Sequence, residues 1–152
     1  MYISYMIEMA QELETIEVLN NREAMLPYFN LVSKLGYPPS KETYSQLLEA
    51  MIPNSYQQIV YKIDGKAIGL AGFWTNTKLF SGKYIDVDNV IVSEEARSKG
   101  VGKKMMDWIE AYAKSIDAKM IVLDAFAGNK QAHKFYFREG YEIKGYHFTK
   151  DL

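Results

Sequence analysis

The chain of 152 residues contains no cysteine. That excludes disulfides, thiolate metal sites and a cysteine nucleophile. It has only two histidines, His133 and His147, without the paired spacing of a metal site, so no metal is expected. The net charge is −1, so there is no global polybasic surface and no case for nucleic acid. No apolar run approaches the ~20 residues of a membrane span, so no membrane contact is expected. The opening MYISYMIEMAQELE lacks a basic stretch ahead of an apolar one, so it does not read as a secretory signal. The missing cysteines are compatible with a reducing cytoplasm, and a cytoplasmic location is the expectation. There is no internal repeat and no low-complexity segment. What the chain does hold is an ordinary apolar fraction, 12 tyrosines and a length suited to one domain, residues 1–152.

The pattern alternates strands and helices. Tyr2 to Met9 and Thr15 to Leu19 both have strand composition, and one of them should be the first strand. Asn21 is a fitting N-cap for a helix reaching Leu35, interrupted by Pro27 and stopped by Gly36. Ser40 opens a second helix through Tyr44, Leu47, Leu48 and Met51, ended by Pro53-Asn54. Gln57–Ile63 and Ala67–Trp74 read as strands joined by Asp64-Gly65, a strong two-residue hairpin signal. Residues 75–82 read as a loop. Tyr84–Val92 is a β-branched strand. Val101, Met105, Trp108, Tyr112 and Ile116 recur at helical spacing. Lys119–Ala125 is a short strand, and the strand–helix–strand order implies parallel pairing. Asn129 caps a short helix to about Arg138, stopped by Gly140. Tyr141–Lys144 and Tyr146–Thr149 read as final strands flanking Gly145. The class is α/β: a mixed sheet with helices on both faces.

The chemistry begins where the long strand meets the long helix. Gly100 and Gly102 stand at that joint, with Arg97, Lys99, Lys103 and Lys104 around them. The first N–H groups of a helix have no intrahelical partner, and the helix dipole adds positive potential there. Such a site binds phosphate without a special side chain. The spacing is not that of a Walker loop, because Arg97 stands where its first glycine belongs and Lys104 follows Lys103. It is not a dinucleotide fingerprint either, because Met105 fills the third small position.

What remains, Arg-x-x-Gly-x-Gly between a strand and a helix, resembles the pyrophosphate loop of the GCN5-related N-acetyltransferases, the GNAT family. A second signature follows in the right order. Asn129-x-x-Ala132-x-x-Phe135-Tyr136-x-x-x-Gly140-Tyr141 resembles the family's short helix beside the pantetheine arm. The resemblance covers residues 84–149 and implies a GNAT sheet with an antiparallel N-terminal half and a parallel central pair. It implies acetyl-CoA as co-substrate and transfer of acetyl to a primary amine, small molecule or peptide, by direct attack in a ternary complex. Val90, Ile91 and Val92 match the segment whose backbone binds the pantetheine amides. Arg97, Ser98, Lys99, Gly100, Val101, Gly102 and Lys103 match the pyrophosphate loop. Asn129 matches a residue touching the cofactor near its pantetheine end. Tyr136 matches the tyrosine that protonates the departing thiolate, and homodimers are frequent in the family.

The base stays open. Asp86 matches the strand position of the glutamate base in the histone-acetylating branch, while other members use water. Asp86 and Asp88 are two apart on a strand and so share a face; they also suit attraction of a cationic acceptor. Glu94 and Glu95 read as solvated, and His133 as a surface residue. Trp74, Tyr84 and Phe126 are candidates to line a pocket. The other functional class is a sensor that binds acyl-CoA on the same fold without turnover.

Overall fold

A computed structural model describes residues 12–152. The candidate strand Tyr2–Met9 lies outside them. The first strand described is β1, Glu14–Leu19, followed by β2, Tyr56–Ile63, β3, Lys66–Lys78, β4, Gly82–Val92, and β5, Met120–Leu123. They form one sheet in the order β1-β2-β3-β4-β5. The first three pairings are antiparallel and β4–β5 is parallel. The expected fold class is therefore the observed one.

Between β1 and β2 the expected first helix is broken into α1, Arg22–Met25, and α2, Phe29–Val32, with 3-10 turns at Leu26–Tyr28 and Ser33–Leu35. Pro27 begins the first of those turns, because its ring cannot continue an α-helical ladder. Asn21 accepts from the Ala24 N–H at 2.9 Å, and Gly36 ends the run at φ +83°. Helix α3, Lys41–Met51, is capped by Ser40 Oγ, which accepts from the Thr43 N–H at 3.1 Å.

Asp64 and Gly65 both have positive φ, the primed geometry that matches hairpin twist. The expected loop at 75–82 is mostly strand. Thr75, Asn76 and Thr77 pair with Ile85, Tyr84 and Lys83, so the β3–β4 hairpin turns only over residues 79–81. Loop composition was outweighed there by cross-strand pairing with a β-branched neighbour.

Helix α4, Val101–Ser115, is the crossover from β4 to β5, and α5, Lys130–Arg138, follows. Gly69 on β3 seats α4. A Cβ there would meet Val101 Cγ1 at 3.0 Å and Met105 at 3.1 Å. Ile59, Phe73, Ile85, Met105 and Ile109 are fully buried in the core beneath α4 and α5. Met25, Leu48, Val60 and Leu70 form the other core, beneath α1 to α3. Helices thus cover both faces.

The two final strands are not formed. Residues 141–152 form no strand with any described residue, and no backbone hydrogen bond joins them to β5. Strand composition alone does not make a strand, since the ladder needs a partner edge. Ile143, Tyr146 and Phe148 alternate with polar residues, yet they stand 69%, 86% and 90% exposed.

Candidate active site

The site lies where β4 leaves β5. Their parallel register runs from Tyr84↔Met120 to Val87↔Leu123 and stops. β4 continues to Val92, still paired with β3 as far as Gly69↔Val92. From Asp88 to Val92 the β5-facing backbone groups of β4 therefore have no strand partner among the described residues. The departure coincides with a β-bulge. Phe73 pairs with Val87 and Gly72 with Asn89, so Asp88 is the extra residue. A bulge bends its strand and re-aims the neighbouring side chains. Strict alternation is interrupted there, so period two no longer fixes the direction of Asp88, whose charge nonetheless acts on Asp86. Asp86 is half-buried, directly opposite Trp74, and Asp88 is exposed.

Beyond Val92 the chain turns through a 3-10 segment, Glu94–Ala96, into the glycine loop. Ser98 and Gly100 both have positive φ, and Gly100 is the N-cap of α4 with no side-chain cap. No acceptor among the described residues receives the N–H groups of Gly100, Val101, Gly102 or Lys103. The loop thus presents a row of free donors at the positive end of a 15-residue helix, the arrangement that suits a pyrophosphate.

Its glycines have different reasons to be glycine. A Cβ at Gly100 would meet nothing, and the left-handed backbone alone excludes most side chains there. At Gly102 a Cβ would lie 3.4 Å from the Phe135 ring, so this residue lets α5 pack against the start of α4. Val101 is buried in the core and offers only its backbone.

The loop cations divide into two pairs. Lys103 donates to both carboxylate oxygens of Asp107 at 2.8 Å and lies 3.6 Å from Glu139, whose side chain is only 11% exposed. Lys104 is bonded to Glu14 at 2.5 Å. Both are committed to carboxylates, whereas exposed Arg97 and Lys99 form no ion pair among the described residues and leave their charge to the loop.

Across the opening, α5 brings Tyr136. Its ring packs edge-on against Phe135 and Tyr141, with centroids 5.2 and 5.6 Å away. Burial pushes its phenol above the ordinary value, and its hydroxyl bonds to no described residue. It is a neutral donor with its proton unspent. Asn129 uses Oδ1 to accept from the Ala132 N–H at 3.1 Å, which leaves its amide N–H groups. His133 stands at the surface, where its Nε2 donates to the Phe126 carbonyl at 2.9 Å and ties the β5–α5 loop to α5.

The other wall is acidic. Asp86 is pushed above the usual carboxylate range, first by burial and then by the charges of Asp124 and Asp88, with Lys78 and His147 opposing. His147 donates to Asp124 at 2.7 Å, so the tail reaches this wall although it forms no strand. Asp124 is the member that sequence reading missed; only the end of β5, lying beside β4, brings it to Asp86. Trp74 is half-buried against Tyr56, Tyr84 is buried beneath Lys78, and Phe126 is 85% exposed and lines nothing.

Residues 10–141 match the family described as the acetyltransferase (GNAT) family. The sequence is 26% identical over 136 residues to the uncharacterized N-acetyltransferase YhdJ of Bacillus subtilis, covering 88% of this chain and 96% of that one. It is 24% identical over 123 residues to the aminoalkylphosphonate N-acetyltransferase of Salmonella typhimurium, covering 80% and 78%. Among solved structures, the aminoglycoside N-acetyltransferase AAC(6')-Iy in complex with CoA superposes with a TM-score of 0.83 at 15% identity, over 96% of this chain and 99% of that one. A GNAT acetyltransferase of Staphylococcus aureus superposes with a TM-score of 0.73 at 25% identity, over 91% and 98%. The match runs through the glycine loop, the β4–β5 opening and the helix that carries Tyr136, and the chain belongs to the GNAT family of acetyltransferases.

Proposed function

We propose that this protein transfers the acetyl group of acetyl-CoA to a primary amine that carries further positive charge. The observation behind the reading is the pairing of two features across one opening: uncapped α4 donors beside Arg97 and Lys99, and a wall of Asp86, Asp88 and Asp124. The free N–H row from Gly100 to Lys103, with Arg97, Ser98 and Lys99, holds the pyrophosphate. The unpaired backbone of Val90, Ile91 and Val92 holds the pantetheine arm, and the Asn129 amide meets it near Tyr136. Lys103 acts as a clamp between α4 and α5 rather than as a phosphate ligand, because its charge is already spent on Asp107 and Glu139.

The amine arrives protonated and is attracted by the acidic wall. Asp86, with its raised pKa, takes the proton as general base. The free amine attacks the thioester carbonyl, and backbone N–H groups of β4 past the bulge stabilise the oxyanion. The tetrahedral intermediate gives up its ammonium proton to water and collapses to the amide with loss of the CoA thiolate, which Tyr136 protonates; bulk water restores the phenol proton. Acetyl-CoA chemistry and a cysteine-free chain fit a cytoplasmic setting, and among the described residues no helix is long and apolar enough to cross a membrane.

The test is CoA release from acetyl-CoA with spermidine, kanamycin, 2-aminoethylphosphonate and an alanine-ended peptide. Release is expected with the first two. Tyr136→Phe should lower turnover at least about tenfold, the usual scale for losing a positioned acid, with acetyl-CoA binding kept. Tight acetyl-CoA binding without release from any amine would instead mark an acyl-CoA sensor.

A further inference from the structure

Beneath the bulge runs a buried polar chain that the reaction above does not use. The Tyr44 hydroxyl on α3 lies 3.1 Å from Gln58 Oε1, to which it can donate, and 2.9 Å from Gln58 Nε2, from which it can accept. Gln58 is 1% exposed, and its Nε2 donates to the Tyr56 hydroxyl at 3.1 Å. The Tyr56 hydroxyl faces Asn89 Oδ1 at 3.5 Å, a long contact. Gln58 spends an N–H on Tyr56, so the Tyr56 proton goes to Asn89, and the Asn89 oxygen is the end that points inward. Burial raises the Tyr56 phenol far above its ordinary value, so it stays a donor at every working pH.

The room for this chain is itself built. A Cβ on Gly72, which pairs with Asn89 across β3–β4, would lie 2.1 Å from the Tyr56 hydroxyl oxygen. Trp74 packs on the same tyrosine ring at 4.9 Å and is paired with Asp86. Asn89 therefore sits one residue past Asp88, on the stretch of β4 that β5 leaves open, with its oxygen turned in. Its Nδ2 makes no hydrogen bond to a described residue, and the residue is partly exposed.

We propose that Asn89 is a further acceptor-recognition residue and that Tyr56, supported by Gln58 and admitted by Gly72, is the positioning residue that turns its amide N–H groups into the cleft. The inference rests on the acetyltransferase reading. Three carboxylates supply attraction but no direction, and a fixed pair of N–H donors beside them binds an oxygen of the acceptor and sets its approach.

The experiment is steady-state kinetics of the full chain with kanamycin, whose hydroxyl oxygens lie near its amines. Asn89→Ala and Tyr56→Phe should each raise the acceptor KM about tenfold, the loss of one hydrogen bond of ordinary strength, with the acetyl-CoA KM within about twofold of the parent. The double variant should be no worse than either single one, because both remove the same contact. Gly72→Ala, which displaces the Tyr56 hydroxyl, should copy Tyr56→Phe. Tyr44→Phe cuts the chain at its far end and serves as the control: it should lower the melting temperature and leave the acceptor KM alone. Additive effects, an unchanged acceptor KM in Tyr56→Phe, or an equal KM rise in Tyr44→Phe would overturn the inference. Wild-type protein that releases CoA with spermidine but not with kanamycin would overturn the inference alone, and release with no amine of the panel would overturn the acetyltransferase reading with it.

Discussion

Asp86 is the residue whose position and charge state matter most to the proposed chemistry. Its carboxylate is half-buried and shares a wall with Asp88 and Asp124, so its charged form is disfavoured. The native state then holds that proton more tightly than the unfolded chain does. Between the raised value and the ordinary 3.8, stability rises as pH falls and is lost again as pH climbs through the window. At neutral pH the buried charge is a net cost. Asp86→Asn should accordingly raise the melting temperature at pH 7 while lowering kcat/KM. The acid limb of the wild-type kcat/KM profile should flatten in the variant. Unchanged kcat/KM in Asp86→Asn would transfer the base role to water. His147 acts at the same wall through Asp124, and nothing in their spacing of 23 residues joins the two along the chain.

At the scale of the element, α4 is held at three places. Gly69 lets it lie close on β3, Gly102 lets α5 lie close on it, and Lys104 joins it to Glu14 of β1. The ion pair is exposed and contributes little, ~0–1 kcal/mol. Close packing at Gly69 carries more. Gly69→Ala would force Val101 and Met105 to shift by a few tenths of an ångström or more, an overpacking that typically costs about 1–3 kcal/mol. Because Val101 opens α4, the same shift should disturb the donor row. The expected outcome is a lower midpoint in urea and weaker acetyl-CoA binding by calorimetry. Destabilisation with acetyl-CoA affinity unchanged would show that the donor row tolerates movement of the helix.

The molecule as a whole is firm in the middle and loose at one end. β2 and β3 are paired on both sides and buried beneath two helical layers. Residues 142–152 donate no backbone hydrogen bond to a described residue, and His147 ties them to the rest of the protein through its bond to Asp124. Amide hydrogen exchange should therefore be slowest in Ile59–Tyr61 and Leu70–Phe73 and fastest after Glu142, apart from segments outside the described residues. Protection of residues 143–148 comparable to β5 would mean that the tail finds a strand partner in solution.

Local order was legible in the sequence wherever one residue decides a backbone state. Asn21, Ser40 and Asn129 cap helices, Asp64-Gly65 turns a hairpin, and the helical stripe from Val101 onward faces the core. The glycine loop and the Asn129–Tyr141 segment were legible as motifs, because their spacing along the chain is what builds them. Pairing was not legible. The bulge at Asp88, the extension of β3 through Thr77, the unpaired tail and the meeting of Asp124 with Asp86 each depend on which neighbour lies across a strand, and strand neighbours come from distant segments. The same is true of Gly72, which reads as an ordinary strand glycine until Tyr56 is placed against it. Sequence alone determined the elements and the donor loop through short-range sterics and hydrogen bonding. Tertiary structure decided which charges share a wall and which cations remain free, because those depend on distances between residues that the chain itself keeps apart.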